Sequence, residues 1–113
     1  MPSFSSNSRR HLDTCHPDLQ RLFDRVVSKV DCTIICGHRN QEDQNRAYRE
    51  GFSKLWWPKS KHNSLPSLAV DVAPYHTDKP HIRWTDDREW YWFSGYVEGV
   101  ASELGIEIRN GGN

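Results

Sequence analysis

The sequence predicts an α+β domain in which about three helices pack on one side of a small, mainly antiparallel sheet. Helix start and stop signals bracket three stretches, which begin near residues 17, 41 and 85. Short β-branched or alternating runs near residues 32, 70 and 107 read as strands. At 113 residues, with no internal repeat and no linker-like segment, the chain is expected to form one domain, residues 1–113, around one small core.

The first ten residues are polar and serine-rich and are expected to be a flexible start. From Pro17 onward, Leu19, Leu22, Phe23, Val26, Val27 and Val30 keep the i, i+3, i+4, i+7 rhythm of a core-packing helix, and Pro17 suits its first turn. His11 and His16, near that start, are expected on the surface or in a cap. Residues 31–37 form a strand that stops at Gly37, and Asn40 caps a helix from Gln41 to Glu50 that ends at Gly51. One of Trp56 and Trp57 is expected in the core, because adjacent side chains in an extended segment point in opposite directions. Thr85 or Asp86 caps the last helix, whose inner face carries Trp90, Phe93, Val97, Val100, Ala101 and Leu104 up to Gly105. Ile106-Glu107-Ile108-Arg109 alternates as a half-buried strand does.

Charge and cysteine content narrow the function. Fifteen basic and fifteen acidic residues cancel, so no electrostatic footprint for nucleic acid or membrane follows, and a monomer is expected. The three cysteines are an odd number. Cys32 and Cys36 would stand about 13 Å apart on a straight strand, too far for a disulfide. Reduced thiols and folding in a cytoplasm are expected, and neither Cys32-x-x-x-Cys36 nor Cys15 resembles a zinc knuckle. No secretory hydrophobic region and no apolar run of transmembrane length is found.

The chemistry concentrates between Lys59 and Tyr75. Asp71 lies inside the apolar run Leu68-Ala69-Val70-Asp71-Val72-Ala73, where a carboxylate is costly to bury without a partner. His62 precedes it by nine residues on a polar, proline-containing loop, and imidazole nitrogen and carboxylate oxygen are both zinc ligands. Ser60-Lys61-His62-Asn63 followed by Pro66-Ser67-Leu68-Ala69-Val70-Asp71-Val72-Ala73-Pro74-Tyr75 resembles the signature of the zinc-dependent D-alanyl-D-alanine carboxypeptidase and L-alanyl-D-glutamate endopeptidase family, in particular its phage endolysin branch. Weaker resemblance extends from about residue 8 to the end.

That resemblance implies a Hedgehog/D-Ala-D-Ala-peptidase-like fold, a zinc cofactor held by His62 and Asp71, and hydrolysis of the stem peptide of bacterial peptidoglycan, at L-alanyl-D-glutamate or as a D,D-carboxypeptidase. Gly37-His38-Arg39, with Gln44, Tyr48 and Gly51, resembles the family's second motif, whose arginine lies in the active site. By residue type alone Arg39 is a surface guanidinium; by resemblance it steadies a substrate carboxylate or an oxyanion. Ser60 and Gln44 become candidates for substrate binding, although Ser60 also suits a loop-holding role. The family continues past a Gly-Gly turn into a strand bearing an acidic general base and a third zinc histidine. The 113 residues contain neither, so a truncated enzyme is expected. The alternatives are His76 or His81 as the third ligand, or a non-catalytic relative that binds wall peptides or serves as a phage structural part. An endolysin of this kind is made in the host cytoplasm and acts on the wall after release.

Overall fold

The computed structural model describes residues 2–110, and the Gly111-Gly112 turn expected from the sequence lies outside them. Its elements are α1 (Ser6–Leu12), α2 (Pro17–Val27), β1 (Cys32–Cys36), α3 (Gln41–Arg49), one turn of 3-10 helix (Lys61–Asn63), β2 (Asp71–Pro74) and α4 (Asp87–Leu104). The architecture is α+β, as the sequence predicts, with β1 and β2 paired antiparallel.

Caps fall where the sequence places them. Pro17 opens α2 behind His16, whose Nδ1 accepts from the Asp18 amide at 3.0 Å. Asn40 accepts from the Asp43 amide at 2.8 Å, and Asp86 accepts from the Glu89 amide at 3.1 Å. Gly105 ends α4 with φ at 72°, a left-handed conformation that glycine adopts without steric cost. Leu22, Phe23, Val26 and Val27 of α2 meet Phe93, Val97, Val100 and Ala101 of α4, and Leu12, Cys32, Ile34 and Ile106 complete the core. Each large apolar side chain so buried contributes about 1.5–3 kcal/mol of transfer free energy.

Three expectations are corrected. The serine-rich start is not a flexible leader throughout, because residues 6–12 form α1. Ser5 caps it by accepting from the Ser8 amide at 3.1 Å, and Leu12 enters the core. The buried Ser8 hydroxyl lies 3.0 Å from Thr33 Oγ1 and accepts from the Ile34 amide at 3.0 Å, so α1 is fastened to β1 by polar groups that leave no apolar periodicity. Residues 106–109 alternate inward and outward but pair with no strand among the described residues. Ile106 is instead drawn into the core as its amide bonds Ala101 O at 2.8 Å. Finally, Trp56 is 49% exposed and packs edge-on against Tyr48, while Trp57 is only half-buried, so neither indole belongs to the core.

The sheet positions the chemistry through an irregularity. Pairing runs regularly from Cys32 opposite Pro74 to Ile34 opposite Val72, then shifts so that Cys36 stands opposite Asp71. A bulge of this kind re-aims the side chain at a strand end. Immediately afterwards the chain passes so close to the end of α1 that a Cβ on Gly37 would lie 2.3 Å from His11 O and 2.4 Å from Thr14 Oγ1. No helix among the described residues is long and apolar enough to cross a membrane.

Gly37→Ala therefore forces backbone displacement and is expected to destabilise the protein by at least about 2 kcal/mol in urea denaturation. An unchanged midpoint would show that the β1–α1 junction is looser than these distances indicate.

Candidate metal centre

His62 owes its position to a short turn satisfied almost entirely by its own neighbours. Ser60 Oγ accepts from the His62 amide at 3.2 Å, and Asn63 Oδ1 accepts from the Ser60 amide at 3.0 Å. The Arg39 amide then bonds His62 O at 2.8 Å, which ties the turn to the segment after β1. On the other side, Ser67 bridges to the α1–α2 connection, with its amide on Thr14 O and its carbonyl receiving the His16 amide, both at 2.8 Å. The loop from His62 to Asp71 is thus pinned at both ends.

The imidazole is 2% exposed, and its Nδ1 donates to Gly37 O at 2.7 Å. That bond fixes the tautomer and turns Nε2 toward Asp71, 3.4 Å from Oδ1. Asp71 Oδ2 accepts from Arg39 Nη2 at 3.0 Å, and Arg39 Nη1 donates to Gln44 Oε1 at 3.0 Å. The Asp71 side chain is 47% exposed and forms the open side of the cluster, while Arg39 is 14% exposed behind it. Burial alone lowers the His62 pKa, but the hydrogen bond to Asp71, the Cys36 contact and the carboxylate charge outweigh it and raise it to about 9. Burial alone raises the Asp71 pKa, and the bonds and charges of His62 and Arg39 outweigh that and hold it below its ordinary value.

Donor atoms of Cys36, His62 and Asp71 all lie within 4.8 Å of one another, the only such group of three or more among the described residues. Sulfur, imidazole nitrogen and carboxylate oxygen form a donor set that suits a divalent transition metal, and the Nδ1–H bond to a carbonyl is the outer-sphere contact that ligating histidines normally make. The donor set therefore fits a metal ion.

Several residues singled out in the sequence stand elsewhere or do something else. Gln44 is fully buried: its amide nitrogen donates to Ser53 Oγ at 3.0 Å and Leu55 O at 2.6 Å, and its oxygen also accepts from Asn63 Nδ2 at 3.0 Å. It has nothing left to offer a substrate and acts as the block against which Arg39 is set. Ser60 is likewise buried and committed to the His62 turn, so the loop-holding reading replaces the substrate-binding one. His76 Nε2 lies 2.6 Å from Glu89 Oε2, and His81 bonds His76 O while stacking on Tyr75. Neither joins the Cys36, His62 and Asp71 group, so the structure does not supply the third ligand from that loop. Cys36 and Asn63 are the residues the sequence reading left without a role. Cys36 ends a strand one residue before Gly37-His38-Arg39, the only sequence signal that marks it.

The sequence profile of the phage L-alanyl-D-glutamate peptidases matches residues 2–113. The chain belongs to that family. It is similar to the L-alanyl-D-glutamate peptidase of Escherichia phage T5, 35% identical over 111 residues that cover 96% of this chain and 78% of that protein. It is also similar to the crystal structure of the Serratia marcescens L-Ala D-Glu endopeptidase ChiX, with a TM-score of 0.75 and 25% identity over 96% of this chain and 78% of that one. The pairing within the His62–Asp71–Arg39 cluster carries a pH signature.

The His62 proton is held more tightly folded than unfolded, so its stabilisation of the metal-free protein is complete below its ordinary pKa of 6.5 and is lost as pH rises through about 9. Asp71 acts oppositely, contributing above its ordinary 3.8 and losing its contribution as pH falls through the lower folded value. The stability advantage of the metal-free parent over Asp71→Asn is therefore expected to be largest between about pH 4 and 6.5 and to decline toward pH 9. A difference independent of pH would contradict the pairing.

Proposed function

We propose that this chain is a zinc-dependent peptidoglycan peptidase that cleaves the L-alanyl-D-glutamate bond of the stem peptide, acting on the cell wall after release from the cell in which it is made. The observation that carries the reading is the oriented pair of His62 Nε2 and the Asp71 carboxylate, 3.4 Å apart, with Asp71 on the open side. Membership of the phage L-alanyl-D-glutamate peptidases supports the choice of bond.

His62 and Asp71 would hold the zinc. When bound, zinc polarises the scissile carbonyl and lowers the pKa of water toward 7. The remaining work belongs to the chain's own residues. Gly37 O keeps the His62 ring from rotating, so that Nε2 faces the cleft in a single tautomer. Arg39 is held by Gln44 and Asp71 through two of its five N–H groups, and the others are available to charge that develops on the carbonyl oxygen. Lys61, Leu68 and Trp84 are among the residues that line the broad open pocket containing His62 and Asp71.

Digestion of purified peptidoglycan is expected to expose new amino groups on D-glutamate and free carboxyl groups on L-alanine, with loss of turnover on chelation and recovery with zinc. His62→Ala and Asp71→Ala are expected at background rate, and Arg39→Ala about 10²–10³-fold down in kcat. Release of free D-alanine instead would assign the D,D-carboxypeptidase reaction. No cleavage by the zinc-loaded chain would contradict the proposal.

A further inference from the structure

We propose that Asn63 is a positioning residue for the peptidase reaction, its carboxamide holding Arg39 at both ends and tying it to the turn that carries His62. This inference rests on the peptidase reading above and adds the residue that keeps His62 and Arg39 in register.

The polarity of the network leaves the carboxamide one orientation. The Ser60 amide can only donate, so the Asn63 oxygen must face it, at 3.0 Å. The Asn63 nitrogen then faces two acceptors, Arg39 O at 3.3 Å and Gln44 Oε1 at 3.0 Å, with one hydrogen for each. Gln44 is fixed by the same logic. Leu55 O can only accept, so the Gln44 nitrogen turns to it at 2.6 Å and leaves the oxygen for Arg39 Nη1, 3.0 Å away. Asn63 therefore holds Arg39 directly at its carbonyl and, through Gln44, at its guanidinium.

The main chain completes the coupling. The Arg39 amide donates to His62 O at 2.8 Å, so residues 62 and 63 grip the Arg39 backbone on both sides. Asn63 is 8% exposed and Gln44 is fully buried, so a lost bond here leaves a desolvated polar group without its partner. Asn63→Asp would keep the acceptor that serves the Ser60 amide and lose both donors, setting a carboxylate against two oxygens. Asn63→Ala would lose all three bonds. Arg39 would then be free to shift relative to His62, and a displacement of about 1 Å in a group that meets the reacting carbonyl is enough to slow the chemical step.

The test measures hydrolysis of a soluble peptidoglycan fragment containing L-alanyl-D-glutamate by the zinc-loaded chain. Parent, Asn63→Ala, Asn63→Asp, Arg39→Ala and the Arg39→Ala/Asn63→Ala double variant are compared at saturating zinc. Asn63→Ala is expected to lower kcat about tenfold in the parent background with little change in KM, and less than about twofold once Arg39 is already removed. Asn63→Asp is expected to fall with Asn63→Ala, whereas a role confined to holding the His62 turn would leave it near the parent. Nitrogen-15 NMR of the metal-free protein gives a readout independent of turnover: resolved Arg39 guanidinium signals in the parent are expected to collapse in both Asn63 variants. Equal fractional losses with and without Arg39, or Arg39 signals unchanged in the Asn63 variants, overturn the proposal and leave the peptidase reading in place. No hydrolysis by the zinc-loaded parent overturns both.

Discussion

Asp71 is the first residue of β2 and the point on which three parts of the chain converge. One carboxylate oxygen takes Arg39 from the segment after β1, and the other faces His62 from the 3-10 turn. Remove the carboxylate and a guanidinium 14% exposed and an imidazole 2% exposed face one another with no compensating charge. Breaking such a pair costs more than the pair itself contributes, because the remaining charge stays desolvated. The surrounding hydrogen bonds make sense as the means of holding these cations at one carboxylate: Gln44 behind Arg39, Asn63 bridging Gln44 and the turn, Ser60 beneath His62.

The same arrangement holds a buried imidazole toward the carboxylate with which it is proposed to bind a metal. In the metal-free protein the His62 proton neutralises part of the Asp71 charge, which is why its pKa rises to about 9 despite burial. On the proposed reading a metal cation would take over that neutralisation, while Arg39 Nη2 already holds the Asp71 oxygen turned away from His62. The cluster is therefore organised in the metal-free chain. Its outer contacts are backbone carbonyls and buried amides that do not depend on the occupant.

Much of this was legible in the sequence, and the remainder was hidden for identifiable reasons. The pairing of His62 with Asp71 follows from a carboxylate set in an apolar run and a histidine on the loop before it, whereas Arg39 reads as a surface guanidinium by residue type and joins them only through the resemblance of Gly37-His38-Arg39 to the family's second motif. Helices α2, α3 and α4 announced themselves through caps and apolar spacing. The α1 helix did not, because its attachment runs through Ser8 hydroxyl bonds to β1 and one core leucine, neither of which produces a periodic pattern. Ile106–Arg109 shows the converse: alternation reports which side chains are buried, and says nothing of whether a neighbouring strand exists to pair with. Gln44 entered as a substrate-binding candidate through the resemblance alone, and a motif match does not distinguish an amide facing a substrate from one enclosed by four protein partners. The place of Cys36 depends on a bulge, and a shift of register by one residue leaves no mark in composition or spacing.

The most direct measurement is an anomalous-scattering map, recorded at the zinc absorption edge, from crystals of this chain grown with zinc. The account predicts one dominant peak within bonding distance of His62 Nε2 and an Asp71 oxygen, with the His62 Nδ1 bond to Gly37 O preserved. A map with no peak there, or with zinc bound only at sites away from an intact His62–Asp71–Arg39 cluster, would contradict it.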